Sequence, residues 1–261
     1  MLTLYADASG DVDQDRIVVA GYVATDEKWE AFDTDWRIQL AKYDLPYFHM
    51  VDFAHSIPPF DHLKGKSGSR RNLLAGLAEI IKSTVLLSIA CSVRYDDFSE
   101  VNREWALAEA FGNEYAMCGR DCVVRCHQIL VDRGYEGDQF RAIFECGDVG
   151  SGHLTRILQR DKKMSPIFEP ARPGIIEGRQ GSTPLQASDF VAYELFKGRQ
   201  FKDEGRDFRL SLQALRTVPR HWGDWTLDDL LDGSSKAKLK RSEFAKERLE
   251  QPDLGISREM K

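Results

Sequence analysis

The chain has 261 residues, 42% of them hydrophobic, with 36 Lys and Arg against 42 Asp and Glu for a formal net charge of −6. That balance makes no global electrostatic case for nucleic-acid binding, although a local basic surface can suffice, and no run of about 18 apolar residues offers a membrane span. The N-terminus enters a strand without a basic leader and apolar core, so a cytoplasmic location is expected, and five cysteines, an odd count, suit thiols rather than a disulfide framework.

The apolar run Leu2-Thr3-Leu4-Tyr5-Ala6, ended by Asp7, reads as a first strand. Ala8-Ser9-Gly10-Asp11 reads as a turn, and Arg16–Thr25 as a second strand joined to the first in a hairpin. Asp26 is expected to cap a helix to about Tyr43, with Trp29, Phe32, Trp36 and Leu40 on one apolar face. Leu45–Ser69 reads as irregular, Arg70–Ser83 as a helix, and Thr84–Tyr95 as a third strand. A long helix over Asn102–Arg133 follows, then a fourth strand at Arg141–Glu145, a helix at Gly152–Lys162 and a short fifth strand at Ser165–Phe168. Arg172–Ser182 is loop-like. Thr183-Pro184-Leu185-Gln186 has the pattern of a capping box with Pro in the first turn and opens a helix to about Phe201. The remainder reads as helical, and the mixed charges of Lys236–Arg248 as a solvated face.

Two acids sit where acids are expensive. Asp7 closes an apolar strand. Asp189 has Leu185, Ala192 and Phe196 as its row partners at helical spacing, so it interrupts an apolar stripe. A carboxylate on such a stripe costs several kcal/mol unless it is paired or holds a cation. If the fold joins the two, a divalent ion is the natural partner; an arginine such as Arg172 or Arg179 is the competing partner for Asp189.

With Asp26–Ser83 set aside as an insertion, the element order resembles that of a ribonuclease H-like core. The resemblance implies a metal site built from an acid on the first strand, one at the end of the fourth and one on the last core helix. Asp7, Glu145 and Asp189 stand at those places, with Asp148 or Asp11 able to assist. The pieces Leu4-Tyr5-Ala6-Asp7-Ala8-Ser9-Gly10-Asp11 and Pro184-Leu185-Gln186-Ala187-Ser188-Asp189-Phe190-Val191-Ala192-Tyr193 resemble the two motifs of the domain-of-unknown-function family 3800 (DUF3800). The resemblance spans residue 2 to about 200, and the Phe48-His49 piece fits it. It implies a ribonuclease H fold and nuclease activity, tied in some members to phage defence. Two positions depart from the pattern: Ala8 stands for a glutamate and Ser188 for an alanine. Adjacent strand residues point to opposite faces, so an acid at position 8 need not share the face of Asp7.

Other candidates have plainer competitors. Asp7 could serve only the Ser9-Gly10 turn, and Asp148 only as a helix cap. His49 could move protons or contact a phosphate, or be a half-buried structural side chain. Lys64, Lys66, Arg70 and Arg71 could form a phosphate-contacting loop or a solvated connector, the latter being the commoner case. Cys118, Cys122 and Cys126 with His127 suggest zinc, but a span of about 12 Å along a helix between the outer thiols opposes a single ion and favours core packing.

The expectation is therefore one α/β domain over residues 1–261: a ribonuclease H-like mixed five-stranded sheet flanked by helices, with a helical insertion at 26–83 and a helical C-terminal extension at 201–261. The expected activity is hydrolysis of nucleic-acid phosphodiesters with Mg²⁺ or Mn²⁺, water being the nucleophile. The alternatives are a non-catalytic interaction or regulatory protein, and a metal-dependent phosphohydrolase of small phosphate esters in a deep closed pocket.

Overall fold

The computed structural model describes residues 1–135, 139–162, 164–175 and 181–233. Strands β1 (Leu2–Ser9) and β2 (Arg16–Thr25) form an antiparallel hairpin, with Leu2 opposite Thr25 and Ser9 opposite Val18. β3 (Leu87–Arg94) pairs antiparallel with β2, β4 (Phe140–Glu145) runs parallel to β1, and β5 (Ile167–Glu169) parallel to β4. A sixth strand, β6 (Arg220–Trp225), runs parallel to β3 and closes the order β5-β4-β1-β2-β3-β6. The mixed α/β sheet thus has six strands where five were expected, and the C-terminal extension is not wholly helical. β6 is short and carries Arg220, Gly223 and Asp224, so its apolar alternation is too weak to read.

The insertion between β2 and β3 is helical: α1 (Asp26–Ala41), α2 (Met50–His55) and α3 (Ser67–Thr84), with a 3-10 turn at Asp61–Leu63. The segment expected to be irregular therefore holds α2 and the start of α3. Thr25, not Asp26, caps α1, its side chain accepting from the Lys28 N–H, while Asp26 accepts from Thr3 Oγ1 and Arg141. The expected long helix is three helices, α4 (Tyr95–Trp105), α5 (Leu107–Phe111) and α6 (Glu114–Asp132). Ala106 and Gly112 break it at positive φ, 51° and 73°, and Asn113 caps α6 by accepting from the Ala116 N–H at 3.1 Å. α7 (Ser151–Lys162), α8 (Thr183–Asp203) and α9 (Leu210–Leu215) follow. Ser182 precedes α8 without a side-chain cap, so the capping box does not form; Thr183 Oγ1 instead donates to Asp33 at 2.7 Å. Lys236–Arg248 and Arg179 lie outside the described residues.

The alternation of the strands sorts the core into two layers. Val18, Ala20, Tyr22 and Ala24 of β2 face α8, α1 and α3; Ile17, Val19 and Val23 face α6 and α7 with Leu2, Leu4 and Ala6 of β1. α1 joins the first layer through an aromatic ladder, Trp29–Phe32–Trp36–Phe48, with ring centroids 5.0–6.1 Å apart. Such pairs add about 0.5–1.5 kcal/mol each beyond their burial. α8 is buried on every side from Thr183 to Phe196 because it lies on β1 and β2 and is covered by α1, α2 and α9. A central helix of this kind has no solvated face on which a carboxylate could sit, and Asp189 is in its middle.

Among the described residues, no helix is long and apolar enough to cross a membrane. Cys91, Cys118, Cys122 and Cys126 are buried in the second layer. Burial pushes the thiols of Cys91, Cys122 and Cys126 up, as expected of protonated core side chains.

Candidate functional site

The parallel pairing of β1 with β4 places Ala6 opposite Phe144, so the next residues, Asp7 and Glu145, are neighbours at the same strand ends. Tyr5 and Ile143, two residues earlier on each strand, pack against Leu185 of α8. By the two-residue period, Asp7 and Glu145 therefore point to the α8 side of the sheet. α8 delivers Asp189 there, one helical turn beyond Leu185. The turn after β4 brings back Asp148. These four acids line one cleft of about 470 Å³, with His49 and Val51 at the start of α2 and Tyr95 and Tyr115 from the other layer. Gly10 lets the chain turn beside the cleft at φ +96°, where a Cβ would lie 2.2 Å from the Arg16 carbonyl oxygen and 2.7 Å from the Phe196 ring.

Their protonation is set by burial. Asp7 is 6% exposed, and desolvation lifts its carboxyl well above the usual range; Glu145, Asp189 and Asp148 push it further, against the Ala8 N–H that donates to Oδ1 at 2.7 Å. Glu145 is raised by burial, opposed first by a hydrogen bond from Asp7 and then by the charges of His49 and Arg172. Asp148 is pushed to about 6 by burial and by Glu145; its Oδ2 is buried without a hydrogen-bond partner, so that oxygen caps nothing. Asp189 is pushed to about 8 by burial; the Met50 N–H, donating to Oδ2 at 2.6 Å, restrains the rise, Glu145 and Asp52 add to it, and Arg172 opposes it. The pairing of Asp189 is therefore with a backbone amide, and Arg172 reaches Asp52 instead, at 3.5 Å.

His49 Nδ1 lies 3.0 Å from Asp52 Oδ2 on the next turn without hydrogen-bonding to it, and the Tyr47 hydroxyl donates to that oxygen at 3.4 Å. Asp52 escapes notice in the sequence because it stands in no recognisable motif, its only signal being the i, i+3 spacing from His49 at a helix start; Arg172, expected as a partner of Asp189, pairs with Asp52. Gln186 is a structural member of its motif: Oε1 accepts from Trp36 Nε1 and from the Phe48 N–H, both at 2.9 Å, and Nε2 donates to the Ala171 carbonyl at 2.9 Å. Ser188 Oγ shares its hydroxyl proton between the Tyr5 and Pro184 carbonyls, at 2.9 and 3.0 Å, and so ties α8 to β1. β1 continues to Ser9, and Ala8 packs toward the second layer, so position 8 is not on the face of Asp7.

Lys64, Lys66, Arg70 and Arg71 are not part of the cleft lining. Lys64, Lys66 and Arg71 are exposed, and Arg70 turns inward to the Phe53 carbonyl at 2.6 Å with its guanidinium 3.9 Å above the Phe53 ring. The stretch is largely the first turn of α3, where Arg70 anchors α2. Asp11 lines the outer cleft and accepts from the Gln14 N–H.

Among the described residues, no group of three or more His, Cys, Asp or Glu side chains is already arranged to hold a metal ion. Asp7 Oδ1 accepts instead from the Ala8 amide and Asp189 Oδ2 from the Met50 amide. Comparisons of the chain with family models, with curated proteins and with solved structures give no match.

Proposed function

We propose that this chain is a divalent-metal-dependent hydrolase of nucleic-acid phosphodiesters on a ribonuclease H-like sheet, and that it belongs with the DUF3800 proteins its motifs resemble. One observation carries the reading: four carboxylates from β1, the end of β4, the following turn and α8 converge on one cleft, with proton affinities raised by burial and by one another. The strand order supports it, since β1, β2 and β3 form the antiparallel half and β4 and β5 the parallel half of the sheet.

The donor set fits a hard cation in its chemistry, being all carboxylate oxygen, and the unpartnered Asp148 Oδ2 is a donor to spare. Asp7, Glu145, Asp148 and Asp189 would hold the ion or ions, after side-chain rotation releases the backbone amides. Bound Mg²⁺ or Mn²⁺ supplies charge stabilisation at the oxygens of a phosphodiester. The Asp52 carboxylate lies 3.0 Å from His49 Nδ1, and His49 lines the cleft, where it could contact a phosphate oxygen or move a proton. The burial that raises these carboxyls also strengthens whatever cation interaction replaces the protons.

The test is cleavage of labelled DNA and RNA with Mg²⁺ or Mn²⁺, for wild type and the variants Asp7→Asn and Asp189→Asn. Loss of cleavage in both variants, with circular dichroism unchanged, is the expected result. Normal cleavage by both sinks the reading. The non-catalytic alternative is favoured by the engagement of Asp7 and Asp189 with backbone amides, with no metal-holding group of side chains among the described residues; it predicts no cleavage and no response to Mn²⁺.

A further inference from the structure

On the other side of α8 lies a second cavity of about 460 Å³, between α8, α9 and β6. Its charge is opposite to that of the first. Lys202, Arg216 and Arg220 stand exposed around it, and Arg199 lies deeper. Asp224 is an acid among its walls, and it is already spent. Arg199 Nε donates to its Oδ1 and Ser92 Oγ donates to the same oxygen, and these contacts hold the carboxyl low against the cost of burial. Arg199 also donates to the Gly223 carbonyl at 3.3 Å, so this ion pair fastens β6 to α8 and is structural. The three outer cations remain uncompensated by it.

The walls between those cations are aromatic. The Arg216 guanidinium lies 5.1 Å from the Phe208 ring centre and the Arg220 guanidinium 5.4 Å from that of Trp222. Trp222 donates its indole N–H to Ser88 Oγ at 2.9 Å, so its polar edge is satisfied, while its half-buried ring packs in part against the core and in part lines the cavity. Cations interleaved with half-buried aromatic faces are what a phosphate-and-base ligand requires: the phosphate takes the charge and the base stacks on the ring or on a guanidinium plane. In a chain of net charge −6 this local concentration of cations is the opposite of the average surface.

We propose that this cavity binds a nucleotide-class ligand, phosphates on Lys202, Arg216 and Arg220 and base against Trp222 or Phe208. The ligand is either a free nucleotide or a segment of a single strand. α8 carries both sites: Asp189 and Lys202 are 13 residues apart, which is about 20 Å along a helix. The basic cavity supplies an attraction for a polyanion that the expected loop at Lys64–Arg71 does not bring to the cleft. The inference goes beyond the hydrolase reading and does not need it.

The experiment is fluorescence anisotropy of a short fluorescein-labelled oligothymidylate in EDTA, across a salt series, with calorimetry of ADP beside it. Wild type, Lys202→Glu/Arg220→Glu, Arg71→Glu and Asp7→Asn are compared. Oligothymidylate binding that weakens about tenfold or more in the double variant, with the salt slope falling by about 0.7 per lost contact, assigns the cavity to a strand. ADP binding with the same dependence on the double variant, and no strand binding, assigns it to a free nucleotide. Arg71→Glu and Asp7→Asn should bind as wild type, so loss of cleavage and loss of binding are read separately. No binding of either probe by wild type, or undiminished binding by the double variant, overturns the proposal.

Discussion

Asp189 Oδ2 accepts the backbone N–H of Met50 at 2.6 Å, a bond across 139 residues that joins the middle of α8 to the first residue of α2. Both residues are buried, Met50 completely. Because the Asp189 carboxyl is pushed to about 8, it is mostly protonated at neutral pH without a cation. Asp189→Asn keeps an acceptor and should cost within about 1 kcal/mol, whereas Asp189→Ala strands a buried N–H and should cost about 1–3 kcal/mol. Urea denaturation in EDTA distinguishes them. A large loss for the asparagine variant would mean that the site holds a charged carboxylate through an ion pair.

The raised carboxyls make a prediction about pH. Asp148 at about 6 and Asp189 at about 8, with Asp7 also raised, bind protons in the folded state that the unfolded chain, near 3.9, has already released. Between those limits the folded state holds more protons, so stability falls as pH rises. The contribution is complete below about pH 4, declines through pH 6 and is gone above about pH 8; each tenfold gain in proton affinity on folding is worth about 1.4 kcal/mol. In metal-free buffer, wild type should lose stability from pH 5 to pH 8 more steeply than the Asp148→Asn/Asp189→Asn variant. Equal slopes in denaturation midpoints would refute the assignment.

The parts of this site that were legible in the sequence are those fixed by local period. Asp189 betrays itself by breaking an apolar stripe, and Asp7 and Glu145 by closing apolar runs. The strand and helix positions of these acids agree with the structure because each is decided within about ten residues. What failed depended on single backbone conformations or on distant partners. Ala106 gives no sign that it will adopt φ 51°, so three helices read as one. Lys64–Ser69 read as irregular because its glycines and serines outweigh the helix start at Ser67, and nothing local shows that Arg70 folds onto Phe53. The basic cavity draws Lys202, Arg216 and Arg220 from α8, the segment after α9 and β6, and β6 is itself too irregular to be seen.

Gln186 tests whether a motif residue can be structural. Its side chain satisfies three buried groups, the Trp36 indole N–H, the Phe48 N–H and the Ala171 carbonyl. Gln186→Leu has similar bulk but strands all three, so a loss of about 3 kcal/mol or more is expected, since each orphan costs about 1–3 kcal/mol and some will find water. The Phe48 bond also orders the approach to His49, so on the hydrolase reading cleavage should fall with stability. A variant as stable as wild type would show that water replaces the amide.

Cysteine reactivity reports on the cleft without assuming a metal. Cys91, Cys118, Cys122 and Cys126 are buried, while Cys146 is half-exposed and lines the cleft beside Glu145. Thiol titration of the native protein should show one fast residue and four that react only on unfolding. Cys146→Ala should remove the fast phase. A second fast thiol would mean that the α6 layer opens more readily than its packing implies.

The decisive measurement for the metal is a thermal melt with and without Mn²⁺. A ligand that binds only the folded state raises stability by about 2.7 kcal/mol at a hundredfold excess over its dissociation constant. For a chain of this size that raises Tm by about 5–10 °C. Mn²⁺ must displace the protons on Asp7, Asp148 and Asp189, so the rise should be small at pH 5 and grow toward pH 8, opposite to the metal-free trend. On the hydrolase reading Asp7→Asn removes a carboxylate that would hold the ion, and should abolish the rise. A flat response in wild type at pH 8 would leave the sheet and its acids as described and award the site to the non-catalytic reading, in which protons and backbone amides are the permanent partners of these carboxyls.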